Sequence, residues 1–318
     1  MNAIDVRTRV ESLFRRGASR TVGVGLEQEL FTTGLIGGGS VDPARVRAAI
    51  AGRWYAGWVG FEPGGQVELS LPRACSAAQA ARDLEAATCA LARDLQPLGI
   101  VLDARPVRRI ATPRYLRTAR YDAMERHFDT SGGAGRRMMR QTCSTQVCLD
   151  WWPGRDGLEQ WRVLHLAAPF IAAATLSDPA RTATWLCVDP ARTAFDDRLL
   201  VGDDPVGAYA DLAAGAQDFV RGGPAQHLST LFPPVRPRGR YLEVRFPDAR
   251  PATRVGELAD GLAGLIYDDE RRRHALASLA SEQGRLADHW AATAAGDGDV
   301  ERGLALLDGS TTATTVAA

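Results

Sequence analysis

Several carboxylate and amide side chains of this sequence have the two-residue spacing that places them on one face of a strand. Along a strand, side chains at positions i and i+2 point to the same side of the sheet. The pairs with this spacing are Glu27 and Glu29, Gln66 and Glu68, and Glu243 and Arg245. A longer set with the same spacing is Ser144, Gln146, Cys148 and Asp150, and Glu62 lies directly before a Pro-Gly-Gly turn.

Glutamate is scarce in the chain, which makes its placement informative. Only 13 of the 38 acidic residues are glutamate, and five of them fall in predicted strand segments. Glutamate favours helices over strands. Two interpretations remain open: the polar positions are the solvated outer faces of an antiparallel sheet, or they line an active site on one face of the sheet.

The second interpretation predicts a metal site. Carboxylates placed close together raise one another's pKa unless a cation lies between them. Oxygen ligands without a His-Cys cluster favour Mg²⁺ over zinc. Magnesium held by carboxylates usually keeps open positions for substrate phosphates, so this arrangement is typical of phosphoryl transfer from a nucleotide.

All 38 basic residues of the 318-residue chain are arginine, because the sequence contains no lysine. This excludes Schiff-base chemistry, and it excludes the P-loop and protein-kinase signatures, which require a lysine. The charge of a bound nucleotide would therefore have to be met by metal ions and by arginine.

Composition also limits the partners. The formal net charge is +0, which argues against non-specific binding to nucleic acid or to an anionic membrane. The N-terminus has no apolar signal-peptide core, and no run approaches about 18 apolar residues. Five cysteines without a CxxC pair predict neither a disulfide framework nor a structural zinc site. We therefore expect a cytoplasmic protein that acts on small molecules, with no nucleic-acid or membrane partner.

Periodicity and capping signals predict an α+β fold with strands joined by helices at irregular spacing. We expect one domain over 1–309 and a disordered tail over 310–318. The predicted strands are 21–33, 54–71 with a break at the Pro-Gly-Gly turn, 101–107, 142–152 and 240–246. The predicted helices are 4–17, 42–51, 77–96, 114–129, 157–175 and 207–220, a loop-rich stretch runs to about 206, and the remainder to 307 is helical with a junction at Asp268–Asp269.

The motifs of the chain resemble those of glutamate–cysteine ligases of the plant-like and actinobacterial branch. The matches run in the same order as in the family from about residue 21 to 250, and the stretch 227–239 looks most similar to the ligases of ergothioneine synthesis. The motifs are GLEQE (25–29), FEPGGQVELS (61–70), RYDAM (120–124), GRRMM (135–139), TCSTQVCLD (142–150), Trp185 with DPART (189–193), and RYLEVR (240–245).

The resemblance implies a curved antiparallel sheet with flanking helices, related to that of glutamine synthetase. It also implies ATP-dependent joining of the L-glutamate γ-carboxylate to the amine of L-cysteine, with two or three Mg²⁺ ions. By residue-to-residue correspondence, the metal-ligand positions are Glu27, Glu29, Glu62, Glu68 and Glu243, with Gln146 as a further candidate.

Other roles follow from the same resemblance. A carboxylate is a poor electrophile, so ATP first converts it to a γ-glutamyl phosphate, which the amine then attacks. Glu243 and Arg245 are the expected catalytic residues, and Gln146 and Arg245 are expected to bind ATP. The expected substrate-binding residues are Arg192 and Arg181, whose guanidinium groups suit a carboxylate, together with Tyr121, Gln66 and Cys148.

The sequence departs from the family at two places, and these leave alternatives open. Cys148 stands where many plant-like members carry asparagine, and the region 170–181 lacks a longer loop that usually precedes the Trp185 motif. A ligase of the same family with another amine or acid substrate is one alternative. A non-catalytic metal- or nucleotide-binding relative is a second. A metal-free paired-carboxylate glycoside hydrolase, insensitive to chelators, is a third.

Overall fold

The computed structural model describes residues 3–309. Its antiparallel sheet has the strand order β2-β3-β1-β5-β7-β6, and β4 pairs with the second half of β1. The strands are β1 (Val24–Gly34), β2 (Val59–Phe61), β3 (Val67–Ser70), β4 (Ile100–Asp103), β5 (Thr145–Asp150), β6 (Val235–Pro237) and β7 (Tyr241–Val244).

Helices surround this sheet. The described helices are α1 (Ala3–Leu13), α2 (Pro43–Ala49), α3 (Ala77–Leu95), α4 (Ala119–Phe128), α5 (Ala134–Gln141), α6 (Gly154–Ala174), α7 (Pro179–Leu186), α8 (Pro190–Thr193), α9 (Pro205–Gly215), α10 (Pro224–Leu228), α11 (Val255–Tyr267), α12 (Asp269–Ser278), α13 (Leu286–Ala295) and α14 (Val300–Asp308). The prediction of an α+β fold with an antiparallel sheet and flanking helices is confirmed.

One face of the sheet belongs to the hydrophobic core. Leu26, Val147 and Leu242 are at most 1 % exposed, and they lie on the strands between polar residues that point the other way. Helices α3 and α11 pack against this side of β1 and β5. The polar face is therefore the one left for a site, as the alternation in the sequence predicts.

Capping explains where several helices begin. Ser76 accepts a hydrogen bond from the backbone of Gln79 at the start of α3, and Asp42 caps α2, whose first residue is Pro43. The predicted junction within the last helical segment is also present, since Asp268 caps α12 directly after α11 ends.

The prediction that the stretch to about 206 is loop-rich is wrong, because it contains α7 and α8. Each begins with an Asp-Pro pair, Asp178–Pro179 and Asp189–Pro190, in which the aspartate side chain accepts a backbone N–H. The same capping signal predicts α2 correctly, so the sequence did carry the information. The short lengths of these helices hid their apolar periodicity.

Strand β6 was not predicted, because Pro233 and Pro234 precede it and Pro237 ends it, and sheets tolerate proline only at edges. The structure places β6 at the edge, where it pairs with β7 alone. The predicted tail over 310–318 lies outside the described residues. In the described part of the chain, no helix is long and apolar enough to cross a membrane.

Candidate functional site

The register of the strands aligns polar side chains in rows across one face of the sheet. Glu29 pairs with Glu68 across β1 and β3, and Glu27 pairs with Gln146 across β1 and β5. Glu243 lies opposite both Cys148 on β5 and Arg236 on β6. Since directly paired residues share a face, the carboxylates of β1 and β3 and the arginines beyond β5 lie side by side.

A cleft with a volume of about 390 Å³ opens over these rows. Five carboxylates line it, and all of them were predicted as metal ligands: Glu27, Glu29, Glu62, Glu68 and Glu243. Four guanidinium groups line it as well: Arg120, Arg236, Arg238 and Arg245. The predicted residues Gln66, Tyr121 and Gln146 are also part of the wall.

Glu29, Glu62 and Glu68 form the first carboxylate group, with ligand oxygens within 4.8 Å of one another. Desolvation in the cleft raises the pKa of Glu62 well above its usual value, and the charges of Glu29 and Glu68 raise it further. The pKa values of Glu29 and Glu68 are raised chiefly by desolvation as well. Without a cation, these three groups hold protons more tightly than free carboxylates do.

Hydrogen bonds orient this first group. The backbone N–H of Ser144 donates to Glu29 at 2.7 Å, and the Ser70 hydroxyl donates to Glu68 at 3.1 Å. Glu62 leads into the Pro63-Gly64-Gly65 turn, which packs so closely that a Cβ on Gly64 would lie 2.4 Å from the carbonyl oxygen of Arg140. The turn thereby holds Glu62 at a defined position beside α5.

Glu27, Cys148 and Glu243 form the second group, again with ligand atoms within 4.8 Å of one another. Desolvation raises the pKa of Glu27 to about 7, and the charges of Glu243 and Glu68 add to that effect. Desolvation also raises the pKa of the Cys148 thiol well above its usual value, as do the carboxylates of Glu243 and Glu27. The thiol is therefore protonated at neutral pH.

Glu243 differs from the other four carboxylates because two arginines surround it. Desolvation acts to raise its pKa, but Arg236 and Arg245 outweigh this and lower the pKa to about 2. Nε of Arg236 lies 2.5 Å and Nη1 of Arg245 lies 3.0 Å from the same carboxylate oxygen. Glu243 is thus ionised, whereas the pKa values of the other four carboxylates are raised.

The donor set fits a hard divalent cation. The first group offers three carboxylates at short mutual distances, and the second offers two beside the Cys148 thiol. Carboxylate oxygens are the ligand type that Mg²⁺ prefers. Gln66 is 1 % exposed, and its side-chain oxygen, in the described part of the chain, has no hydrogen-bond partner. Its amide nitrogen donates to the carbonyl of Thr142 at 3.0 Å, which fixes the orientation of the amide group.

An apolar wall faces the carboxylates. The side chains of Met124, Met138, Met139, Trp185 and Phe232 belong to one packed cluster and also line the cleft. Helices α4 and α5 supply the methionines, and the loop before β6 supplies Phe232. Such a wall excludes water on one side of a charged site, which strengthens the electrostatic interactions inside it.

Three predicted substrate-binding residues do not line the cleft. Arg192 is 0 % exposed, and its guanidinium group is held by Asp189, by the hydroxyl of Thr230 and by the carbonyl of Gln217. Arg181 donates to the carbonyl oxygens of Phe246 and Arg245 from a neighbouring apolar pocket. Cys148 is not part of the cleft wall, although its sulfur lies within 4.8 Å of carboxylate oxygens of Glu27 and Glu243.

Arg120, Arg236 and Arg238 are cleft residues that the prediction of site residues missed. Arg236 and Arg238 have the i, i+2 spacing of a strand face. That signal was visible in the sequence, but the prolines around it argued against a strand. Arg120 lies on α4, and only the packing of that helix over the sheet brings it to the cleft.

A protein-family model described as "Glutamate-cysteine ligase family 2(GCS2)" matches residues 23–313. The chain is 34% identical over 241 residues to a "Glutamate--cysteine ligase EgtA" of Mycolicibacterium smegmatis, covering 60% of this chain and 55% of the relative. It is 26% identical over 258 residues to a chloroplastic glutamate–cysteine ligase of Brassica juncea, covering 67% of this chain and 50% of the relative. The chain thus spans about half the length of the curated relatives it matches.

A solved structure of a glutamate–cysteine ligase from Francisella tularensis, in complex with AMP, is similar in fold. The TM-score is 0.53 at 13% sequence identity, and the match covers 92% of this chain and 84% of that one. At this identity the likeness shows the architecture of the sheet and its helices.

Proposed function

The chain belongs to glutamate–cysteine ligase family 2, and we propose that it joins the γ-carboxylate of L-glutamate to the amine of L-cysteine with the use of ATP and Mg²⁺. The product would be γ-glutamylcysteine, made for ergothioneine or a related thiol. Residues 1–309 would form one catalytic domain. The similarity to a "Glutamate--cysteine ligase EgtA" supports the choice of substrates.

One observation carries this proposal: four of the five carboxylates lie on one half of the polar face, the carboxylate half, whereas Arg236 and Arg245 lie with Glu243 on the other, the arginine half. Glu29 and Glu68 lie at one side of the cleft, and Arg236 and Arg245 lie at the other. A bound polyphosphate needs cations, and the carboxylates can hold them while arginines contact the phosphates directly. A solvated outer face would have no reason to separate the two signs in this way.

The carboxylates would hold the metal ions in two groups, Glu29 with Glu62 and Glu68, and Glu27 with Glu243. Bound Mg²⁺ would neutralise phosphate charge and hold the phosphates for in-line transfer. Two ions would match the two groups of ligands. Since the ligands come from β1, β3, β7 and one tight turn, the sheet itself sets their separation.

Arg245 would stabilise the charge on the phosphoryl group as it moves to the substrate carboxylate. Its guanidinium group is held by Gln146 at 2.8 Å and by Glu243 at 3.0 Å, so its position is defined before substrate binds. Preorganised charge of this kind is the main contribution a protein makes to phosphoryl transfer. The amine would then attack the acyl phosphate, releasing phosphate.

Arg120 is our candidate for the α-carboxylate of an amino-acid substrate, in place of the buried Arg192 and Arg181. It lines the cleft, and in the described part of the chain its Nε has no hydrogen-bond partner. Its Nη2 donates to the carbonyl oxygen of Ser229 at 3.0 Å, and its guanidinium group lies 5.3 Å from the centre of the Tyr121 ring; the two contacts orient it. Tyr121 and the free oxygen of Gln66 would complete the contacts to the substrate.

The experiment that tests the function is mass detection of product after incubation with ATP, Mg²⁺, glutamate and a panel of amines. We expect γ-glutamylcysteine in the cysteine sample, and we expect none when EDTA is present. Activity that survives EDTA would instead favour a metal-free hydrolase.

A second candidate is a ligase of the same family with a different acceptor amine. Cys148 favours it, because a protonated thiol beside Glu27 and Glu243 offers different contacts from the asparagine of many family members. ADP release with another amine, and none with cysteine, would select this candidate. A non-catalytic relative would bind ATP and Mg²⁺ in calorimetry and release no phosphate with any substrate.

A further inference from the structure

Arg236 holds Glu243 in a way that competes with a metal ion. Its Nε lies 2.5 Å from Oε2 of Glu243, and its Nη2 donates to Oε1 at 3.1 Å. Nη1 of Arg245 also lies 3.0 Å from Oε2, so that oxygen faces two guanidinium groups. Yet Glu243 is one of the groups close enough to share a metal ion with Glu27.

The conflict is electrostatic as well as geometric. A divalent cation on the free lone pair of Oε1 would face the Arg236 guanidinium group, which already donates to the same oxygen. Like charges at this distance repel strongly in a partly desolvated cleft. Glu243 can therefore serve the metal fully only if Arg236 moves away.

The Arg236 side chain has space in the cleft into which it can turn. It lines the same cleft as the carboxylates, and its side chain is 13% exposed there. Its Nη1 donates no hydrogen bond to any residue in the described range 3–309. A guanidinium group in this position can turn from one oxyanion to another, because carboxylate and phosphate present similar forks of acceptors.

We propose that Arg236 is a phosphate-binding residue that pairs with Glu243 only until the nucleotide binds. When the nucleotide enters, Arg236 exchanges the Glu243 carboxylate for a phosphate, and Glu243 becomes free to bind the metal ion. Arg245 keeps its place throughout, since Gln146 holds it independently. The inference rests on the proposed function, because it takes the phosphate to be that of a nucleotide.

The exchange of partners by Arg236 couples the binding of the metal ion to the binding of the nucleotide. A metal ion that arrives alone has to displace a paired guanidinium group, so it binds weakly. A nucleotide removes that obstacle, and by reciprocity the metal improves nucleotide binding by the same factor. The site would thus load the two together and would not accumulate metal on its own.

The test compares Arg236→Gln with the wild-type chain in two binding measurements. The first is the affinity for Mn²⁺ alone, measured from the electron paramagnetic resonance signal of the free ion. The second is the affinity for AMPPNP in excess Mg²⁺, measured by calorimetry. We expect the variant to bind Mn²⁺ alone at least about fivefold more tightly and AMPPNP at least about tenfold more weakly.

Two control variants separate exchange from a general effect of charge. Arg238→Gln removes a positive charge from the same cleft, and Arg240→Gln makes the same change in the β6–β7 turn outside the cleft. We expect a smaller gain in Mn²⁺ affinity for Arg238→Gln and none for Arg240→Gln. An equal gain for Arg236→Gln and Arg238→Gln would overturn the exchange.

A purely structural role for Arg236 makes the opposite prediction. If the arginine only keeps Glu243 in place, its loss should weaken Mn²⁺ binding, and that result would refute the proposal. Arg236→Lys retains the charge with a single donor group, so it should fold readily and give intermediate values in both measurements. Should the wild-type chain bind no AMPPNP, the proposed function fails, while the Mn²⁺ comparison still tests the pairing.

Discussion

Arg245 donates a hydrogen bond from Nη1 to the side-chain oxygen of Gln146 at 2.8 Å. The amide nitrogen of Gln146 lies 3.2 Å from a carboxylate oxygen of Glu29 and donates to it. One amide group therefore connects the arginine half of the cleft to the carboxylate half. This favours a role for Gln146 in positioning Arg245 over its predicted role as a metal ligand.

Glu27→Gln should stabilise the metal-free protein while weakening its metal binding. The Glu27 carboxylate is desolvated and lies beside the charges of Glu243 and Glu68, so its ionised form is unfavourable. A neutral amide of the same shape removes that cost, as substitutions at strained sites often do. We expect a gain of about 1 to 3 kcal/mol at pH 8 in EDTA, measured by urea unfolding. A loss of stability would show that the ionised Glu27 carboxylate does not destabilise the folded state.

The stability of the metal-free protein should fall as the pH rises from about 4.5 to about 7. The pKa of Glu27 is about 7 in the folded chain, against an ordinary value of 4.5, so the folded state binds more protons between these values. More protons on the folded state means that stability decreases with pH in this window, and Glu27 alone contributes up to about 3 kcal/mol of this decrease.

Thermal unfolding in EDTA across this pH range measures the effect. Glu27→Gln should make the decrease smaller, while Glu29, Glu62 and Glu68, whose pKa values are also raised, keep part of it. Because Mg²⁺ displaces these protons, it should raise the melting temperature more at pH 8 than at pH 6. If the stability of the wild-type chain and of the variant changed equally with pH, the raised pKa of Glu27 would be contradicted.

Glu243→Gln should abolish turnover and also destabilise the fold, in contrast to Glu27→Gln. Glu243 is 1% exposed and neutralises both Arg236 and Arg245. Removing one partner of a buried ion pair leaves unpaired charge, which costs about 3 kcal/mol. Urea unfolding of the two variants side by side tests this. Equal stability would mean that the two arginines are solvated and that the pairing matters little.

Arg120→Gln and Arg192→Gln should separate substrate binding from folding. Arg120 lines the cleft, so its loss should raise the KM for an amino-acid substrate by about tenfold at little cost in stability. Arg192 is fully buried on Asp189, so its loss should unfold the chain or lower its melting temperature by many degrees. A folded Arg192→Gln protein with a raised KM would restore Arg192 as a substrate ligand.

Gly64→Ala should damage the site through the backbone. Its Cβ would lie 2.4 Å from the carbonyl oxygen of Arg140, so the turn that carries Glu62 would have to move away from α5. We expect a loss of about 1 to 3 kcal/mol and a large fall in turnover. Gly215→Ala is the matched control, since a Cβ at this helical position meets nothing within 4 Å. An active, stable Gly64→Ala protein would show that the turn is free to shift.

Local alternation was sufficient to predict which side chains share a face. Glu27 and Glu29 point to the cleft while Leu26 points to the core, as the period of two requires. The same local rules predicted the α+β class and the starts of α2, α3 and α12, each of which has a side-chain cap. They failed for α7 and α8, whose short lengths gave little periodicity despite clear caps.

The choice of arginines depended on information that is not local. The sequence could show that the chain has only arginine to meet phosphate charge, and that the scarce glutamates lie on strands. It could not show that Arg236 pairs with Glu243 across a proline-rich edge, or that the buried Arg192 forms an ion pair with Asp189. Those facts depend on strand register and on the packing of helices over the sheet, which are set by contacts between distant segments.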